Sequence, residues 1–192
     1  MNRRFTFQQY RAIDLTMFAI MLAVSESVIV TAATRWFPEQ LYTVSVSAAV
    51  TAIVLVRWGP WAAIHAALGG FVFCLASRGT GEQYLIYCIG NLLSLLSLFF
   101  IKAFGEERIR TDSFLAVAFA LCTQLLMQLG RALAALAMGA ELARCVGFIT
   151  TDVLSGLFTA LIVWIARRLD GILEDQKHYL LRVNREEEKG GY

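Results

Sequence analysis

Four ionisable side chains stand in otherwise apolar stretches of this sequence: Glu26, His65, Arg131 and Asp152. Three amides, Asn91, Gln124 and Gln128, lie in similar surroundings. An ionisable group in the middle of a membrane-spanning helix costs about 2.5–3.5 kcal/mol on insertion scales, so it normally faces a cavity, a ligand or a partner. Gln124, Gln128 and Arg131 follow one another at i, i+4 and i+7, which puts them on one helix face. Two kinds of chemistry are open to this set. Its members can pair with each other, Arg131 with Glu26 or Asp152, and hold helices together. They can instead line a pocket in which Arg131 meets an anionic or carbonyl group of a ligand. Asn91, Gln128 and Asp152 would then fix the ligand's polar edge, with Glu26 at the same depth. Trp36, Tyr42, Tyr84 and Tyr87 are the aromatic residues able to cover its apolar face. A mostly apolar pocket with a few convergent polar groups is the usual make-up of a small-molecule site.

Other chemistries find no support in the sequence. There is no Walker motif and no G-x-S-x-G or H-E-x-x-H. Cys74, Cys88, Cys122 and Cys145 are scattered without a close pair, a spacing that fits neither a zinc site nor a disulfide framework. They read as small buried apolar residues. His65 sits among small residues, where a helix–helix hydrogen bond is expected rather than catalysis or metal binding. Glu106-Glu107-Arg108 reads as a solvated charge run. The expectation is a protein that is not an enzyme and carries no cofactor or metal.

The elements that must position these residues are apolar helices. Hydrophobic residues make up 58% of the chain and charged ones 17%, below the roughly 25% charged of soluble domains. A spanning helix takes about 20 mostly apolar residues, and six runs qualify: 13–34, 41–57, 59–77, 84–104, 113–138 and 143–166. The expected fold is an all-α integral membrane protein, a compact bundle of six transmembrane helices. Residues 1–168 would form the membrane domain and 169–192 a charged helical tail with a weak apolar stripe. The first apolar run is too long for a signal-peptide core and lacks a convincing cleavage site.

Loop charges orient the bundle. With the N-terminus inside, thirteen Lys and Arg fall on the inner side, against only Arg35, Arg78 and Arg144 outside. Basic residues collect on the cytoplasmic side of short loops, so both termini are expected to be cytoplasmic. This sidedness accounts for the net charge of +2 without nucleic acid. In that orientation Glu26, Asn91, Gln128, Arg131 and Asp152 all lie towards the outer side. Arg57-Trp58-Gly59-Pro60 makes a tight inner turn, because proline starts a helix but cannot sit inside one. The outer stretch 34–39 reads as an interface anchor or a lid, and 77–81 as a mobile glycine turn.

Small residues add a packing signal. Ala19 and Ala23 form an A-x-x-x-A pair, and Ala62, Ala66, Ala67, Gly69 and Gly70 cluster in the third span. Such spacing lets helices approach closely in lipid. Six helices in about 190 residues, the A-x-x-x-A pair of the first span and Gly59-Pro60-Trp61…Gly69-Gly70 in the third together resemble the substrate-binding S components of energy-coupling factor (ECF) transporters. The resemblance implies capture of a vitamin-like small molecule from outside a prokaryotic plasma membrane. It also implies docking on a transmembrane coupling subunit driven by two ATPase subunits, with Ala19 and Ala23 at the docking seam. Glu26 lies near the face of that pair, so it belongs either to the seam or to the pocket. An autonomous ion-coupled carrier using Glu26 and Asp152, a membrane enzyme and a membrane scaffold remain as alternatives.

Overall fold

The computed structural model describes residues 6–39, 44–169, 171–174 and 176. Within them the protein is all-helical, with no strand. The helices are α1 (Phe7–Trp36), α2 (Ser47–Trp58), α3 (Ala62–Ala76), α4 (Gly81–Gly90), α5 (Ser97–Phe104), α6 (Glu106–Thr111), α7 (Ser113–Ala137), α8 (Leu142–Thr150) and α9 (Val153–Ala166). A 3-10 turn, Gly59–Trp61, joins α2 to α3, and a longer one, Asn91–Leu96, joins α4 to α5.

Among the described residues, five apolar helical runs are long enough to cross a bilayer: Phe7–Trp36, Ser47–Ala76, Gly81–Phe104, Ser113–Ala137 and Leu142–Ala166. The second of them is folded back on itself. Gly59 takes φ +57°, Pro60 follows in the 3-10 turn, and α3 returns along α2. The return is close enough that a Cβ on Gly69 would come within 1.8 Å of Ser47 Oγ. The chain therefore passes back and forth as antiparallel rods, as the short connections of the sequence imply.

α2 departs most from the sequence expectation. The run 41–57 was expected to be one span, yet helix begins only at Ser47 and has 12 residues, about 18 Å of rise. That is well short of the roughly 30 Å hydrocarbon core. Every residue of α2 is buried, so this helix is the axis around which α1, α3, α7 and α9 pack. A helix apolar on all sides belongs in such a position. Residues 40–43, Tyr42 among them, lie outside the described residues.

The first turns are set by local chemistry. Thr6 and Gln9 close a capping box on α1, and Thr80 and Gln83 close another on α4, so the glycine turn around Thr80 is a built helix start. Asp112 accepts from the Phe114 and Leu115 N–H groups at the start of α7. Glycines then bring helices into backbone contact. A Cβ on Gly130 would lie 1.9 Å from the Gly90 carbonyl oxygen, and one on Gly70 would lie 2.6 Å from that of Tyr87. The first contact locks α7 to α4 and the second locks α3 to α4.

At the basic end the bundle is tied by Arg57. Its guanidinium bonds both carboxylate oxygens of Asp14 on α1, at 2.7 and 3.0 Å, and the carbonyls of Gly171 and Ile172. Trp58 Nε1 donates to the same Asp14. Arg167 reaches back to the Thr111 carbonyl and the Ser113 hydroxyl. α9 ends at Ala166, and 171–174 are turns folded across the bundle end, with Leu173 buried; most of the expected charged tail, 169–192, lies outside the described residues. The carbonyls of this turn are taken by Arg57 instead of by a helical ladder.

Candidate functional site: a buried polar layer at three helix breaks

Two helical runs are interrupted, and both interruptions meet the start of a third helix. α2 starts at Ser47 after the non-helical residues 44–46; α4 tightens to 3-10 at Asn91; α8 stops at Thr150 and α9 begins after Asp152. The two interruptions have local causes. Asn91, Ser94 and Ser97 recur every third residue, the repeat of a 3-10 turn, and all three are fully buried against α7. Thr123 Oγ1 donates to Ser97 Oγ at 3.0 Å across that seam. Thr150 and Thr151 turn their hydroxyls back onto α8 carbonyls, Thr151 Oγ1 reaching Gly147 O at 2.7 Å. Back-bonding of this kind bends helices.

Arg131 joins the two breaks. Its Nε donates to Asn91 Oδ1 at 2.7 Å and its Nη1 to Asp152 Oδ2 at 3.0 Å. Gln124, two turns down the same face of α7, donates to Asp152 Oδ2 at 2.7 Å and accepts from Thr159 Oγ1 at 3.4 Å. Asn91 Nδ2 continues the network to the Ala66 carbonyl of α3 at 3.0 Å. The Arg131 guanidinium also lies over the Tyr87 ring, 4.7 Å from its centroid. That ring is stacked on Phe73 and set edge-on to Phe148. Arg131 and Asp152 are 5% and 2% exposed, so the pair is removed from solvent on all sides.

Glu26 holds the start of α2. It is 0% exposed, and its Oε2 accepts the Val46 N–H at 2.8 Å, just ahead of α2. The Ser45 hydroxyl lies against the same carboxyl group. A carboxylate at a helix N-terminus meets the positive end of the helix dipole and unsatisfied N–H groups. The next N–H along, that of Ser45, donates to Ser155 Oγ in the first turn of α9 at 3.0 Å. Arg131 and Asp152 lie within electrostatic range of Glu26. One layer thus runs from Glu26 through residues 45–46 to α9, Asp152, Arg131 and Asn91.

The sequence-derived candidates divide accordingly. Arg131, Asp152, Asn91 and Tyr87 come together in direct contact, and Glu26 joins through the start of α2. Gln128 is buried one turn from Gln124, on the same face. Trp36 and Tyr84 are not brought to the layer. Trp36 is 75% exposed and lines a groove of about 490 Å³ on the C-terminal part of α1, with Ser27, Val28, Thr31, Ala32 and Arg35. It lies ten residues beyond Glu26, about 15 Å along the helix. Tyr84 packs on Phe71, with 5.4 Å between ring centroids. Ala19 and Ala23 are half-buried, on the flank of the stripe Leu22–Glu26–Val30 that faces the core. Glu26 therefore belongs to the interior of the bundle and not to a seam on its outside. His65 Nε2 stands 3.0 Å from the Leu15 carbonyl, linking α3 to α1.

Ser45, Ser155 and Thr159 were not among the sequence candidates. The alternation Ser45-Val46-Ser47 within an apolar run is the signal that marks the first of them. Among the described residues no group of three His, Cys, Asp or Glu is placed to hold a metal ion. Comparison with protein-family models, with curated proteins and with solved structures found no match to this chain.

Proposed function

We propose that this protein is a membrane substrate-capture subunit, which binds a vitamin-like small molecule in the polar layer and passes it to a partner transport machine. The observation that carries the reading is the convergence of two helix breaks and the start of α2 on one buried set of charges and amides. Membrane carriers build their sites in this manner, with interrupted helices whose N-terminal ends and freed backbone groups surround the substrate. Here α2 and α9 begin at Glu26 and Asp152, and the 3-10 turn begins at Asn91.

The ECF S-component resemblance supplies the particular class. In that reading the bundle lies in a prokaryotic plasma membrane, with the basic end and both termini in the cytoplasm and α2 as a short, fully buried pass inside it. The apolar outer face of α1 (Met17, Ile20, Met21, Val24 and Val28) meets lipid or the coupling subunit. Ala19 and Ala23 lie at the edge of that face. Two ATPase subunits bound to the coupling subunit would power import, since the chain carries no nucleotide-binding motif of its own.

Reconstitution distinguishes this reading from an autonomous carrier. Proteoliposomes holding the protein alone are expected to bind substrate without accumulating it, and to accumulate it with ATP once the coupling subunit and ATPases are added. Ion-gradient-driven uptake by the protein alone would overturn the proposal. A scaffold reading draws on the way Arg131, Asp152 and Asn91 satisfy one another; it predicts no small-molecule binding at all.

A further inference from the structure

The unmet hydrogen-bonding capacity of the bundle is concentrated on one side of the layer. Of five buried side-chain atoms without a hydrogen-bond partner among the described residues, four stand on α1, α2 and α3: Glu26 Oε1, Ser47 Oγ, Thr51 Oγ1 and His65 Nδ1. Buried polar atoms are nearly always paired with protein, water or ligand, so each unpaired one calls for an occupant. Glu26 engages Val46 through Oε2 only, which leaves Oε1 open. Ser47 is the next residue after Val46, and its hydroxyl lies in the crevice that Gly69 keeps clear. Thr51 is one turn along α2 on the same face. Its hydroxyl leaves the carbonyl one turn back unused, whereas Thr34, Thr123 and Thr151 all bond theirs.

The opposite side of the layer is closed. Arg131 already holds Asn91 and Asp152, and Gln124 holds Asp152. An anionic ligand would compete with Asp152 and Asn91 for the Arg131 guanidinium, whereas a hydrogen-bond donor arriving at Glu26 Oε1 meets an acceptor with no hydrogen-bond partner. Resting on the capture-subunit reading, we infer that the ligand presents an N–H donor group (an ammonium, an amidinium or an amino-heterocycle). It seats on Glu26 Oε1, with the Ser47 and Thr51 hydroxyls beside it. Arg131 then acts as a strut that fixes the far wall of the site, not as the residue that grips an acid.

The test uses three probes of one shape, benzamidine, benzamide and benzoate, added at millimolar concentration to the full-length protein in detergent. Thermal unfolding is followed by tryptophan fluorescence. Benzamidine is expected to raise Tm in a concentration-dependent way, with benzoate inert. Glu26→Gln should weaken the benzamidine effect by about tenfold or more, the loss of one charge-assisted hydrogen bond. Because Glu26 also caps α2, Ser47→Ala and Thr51→Val serve as independent variants that leave the cap intact. Each should weaken benzamidine by about threefold or more. Stabilisation by benzoate but not benzamidine, lost in Arg131→Met, would overturn the donor assignment and leave the capture reading standing. If none of the three acts, small molecules released from the natively purified protein on denaturation decide. An amine-bearing compound upholds the inference, an amine-free compound overturns it alone, and no compound overturns the capture reading with it.

Discussion

Replacing Arg131 by methionine should be among the most damaging single changes in this protein, and the damage should be largely reversed by a second change. Methionine fills much of the arginine's volume but removes three interactions: the bonds to Asn91 Oδ1 and Asp152 Oδ2 and the contact over Tyr87. Asp152 keeps only the Gln124 amide among its side-chain donors from α7. A buried charge stripped of its partner costs about 3–5 kcal/mol. Both residues are nearly inaccessible, at 6% and 3% for the side chains, so solvent screening gives little relief. Asp152→Asn alone should cost a comparable amount, because it leaves the guanidinium buried without its counter-charge. Removing both charges together abolishes that penalty, so the double variant should be more stable than the two single losses combined. The coupling energy should be about 1.5 kcal/mol or more, the range for close charged pairs. Equilibrium unfolding in mixed micelles, with all four proteins at one detergent composition, measures it. Additivity within about 0.5 kcal/mol would refute the claim that this pair acts as a unit.

Four further outcomes follow from the packing and named contacts. Gly130→Ala places a Cβ against the Gly90 carbonyl and must separate α7 from α4, lowering stability by about 1–3 kcal/mol or more. Gly147→Ala meets nothing within 4 Å, and in helix α8 should instead raise stability by about 0.5–1 kcal/mol; thermal unfolding gives both signs. Arg57→Ala removes the donors holding Asp14 and the carbonyls of Gly171 and Ile172. Hydrogen exchange should then accelerate around residues 171–174 and little elsewhere, and an unchanged pattern would contradict the tie. Ala19→Leu with Ala23→Leu should leave ligand binding intact and remove co-purifying partner proteins; undiminished partner recovery would rule out the docking seam.

The apolar runs were legible because burial in lipid demands length and hydropathy, both of which composition displays. The meeting of Arg131, Asp152 and Asn91 was legible from depth, since a polar residue inside a span must find a partner at its own level. The start of α2 was not. Hydropathy runs on through 41–57, while the helix boundary is set by Glu26, twenty residues earlier in sequence, accepting the Val46 N–H. No local pattern encodes a cap supplied from another helix. The tightening at Asn91 was encoded, in the three-residue repeat Asn91–Ser94–Ser97, but a helical period of 3.6 hides it. Trp36 misled for a different reason: an aromatic residue at the outer end of a span serves equally as a lid or as an interface anchor, and α1 turns it outward.

As a capture subunit, the protein is proposed to work as one part of a larger importer. Affinity purification from native membranes in mild detergent, with mass spectrometry of the accompanying proteins, tests it most directly. The expected result is recovery of a transmembrane coupling subunit together with two ATPase subunits. Repeated recovery of a lone, well-folded protein would contradict it.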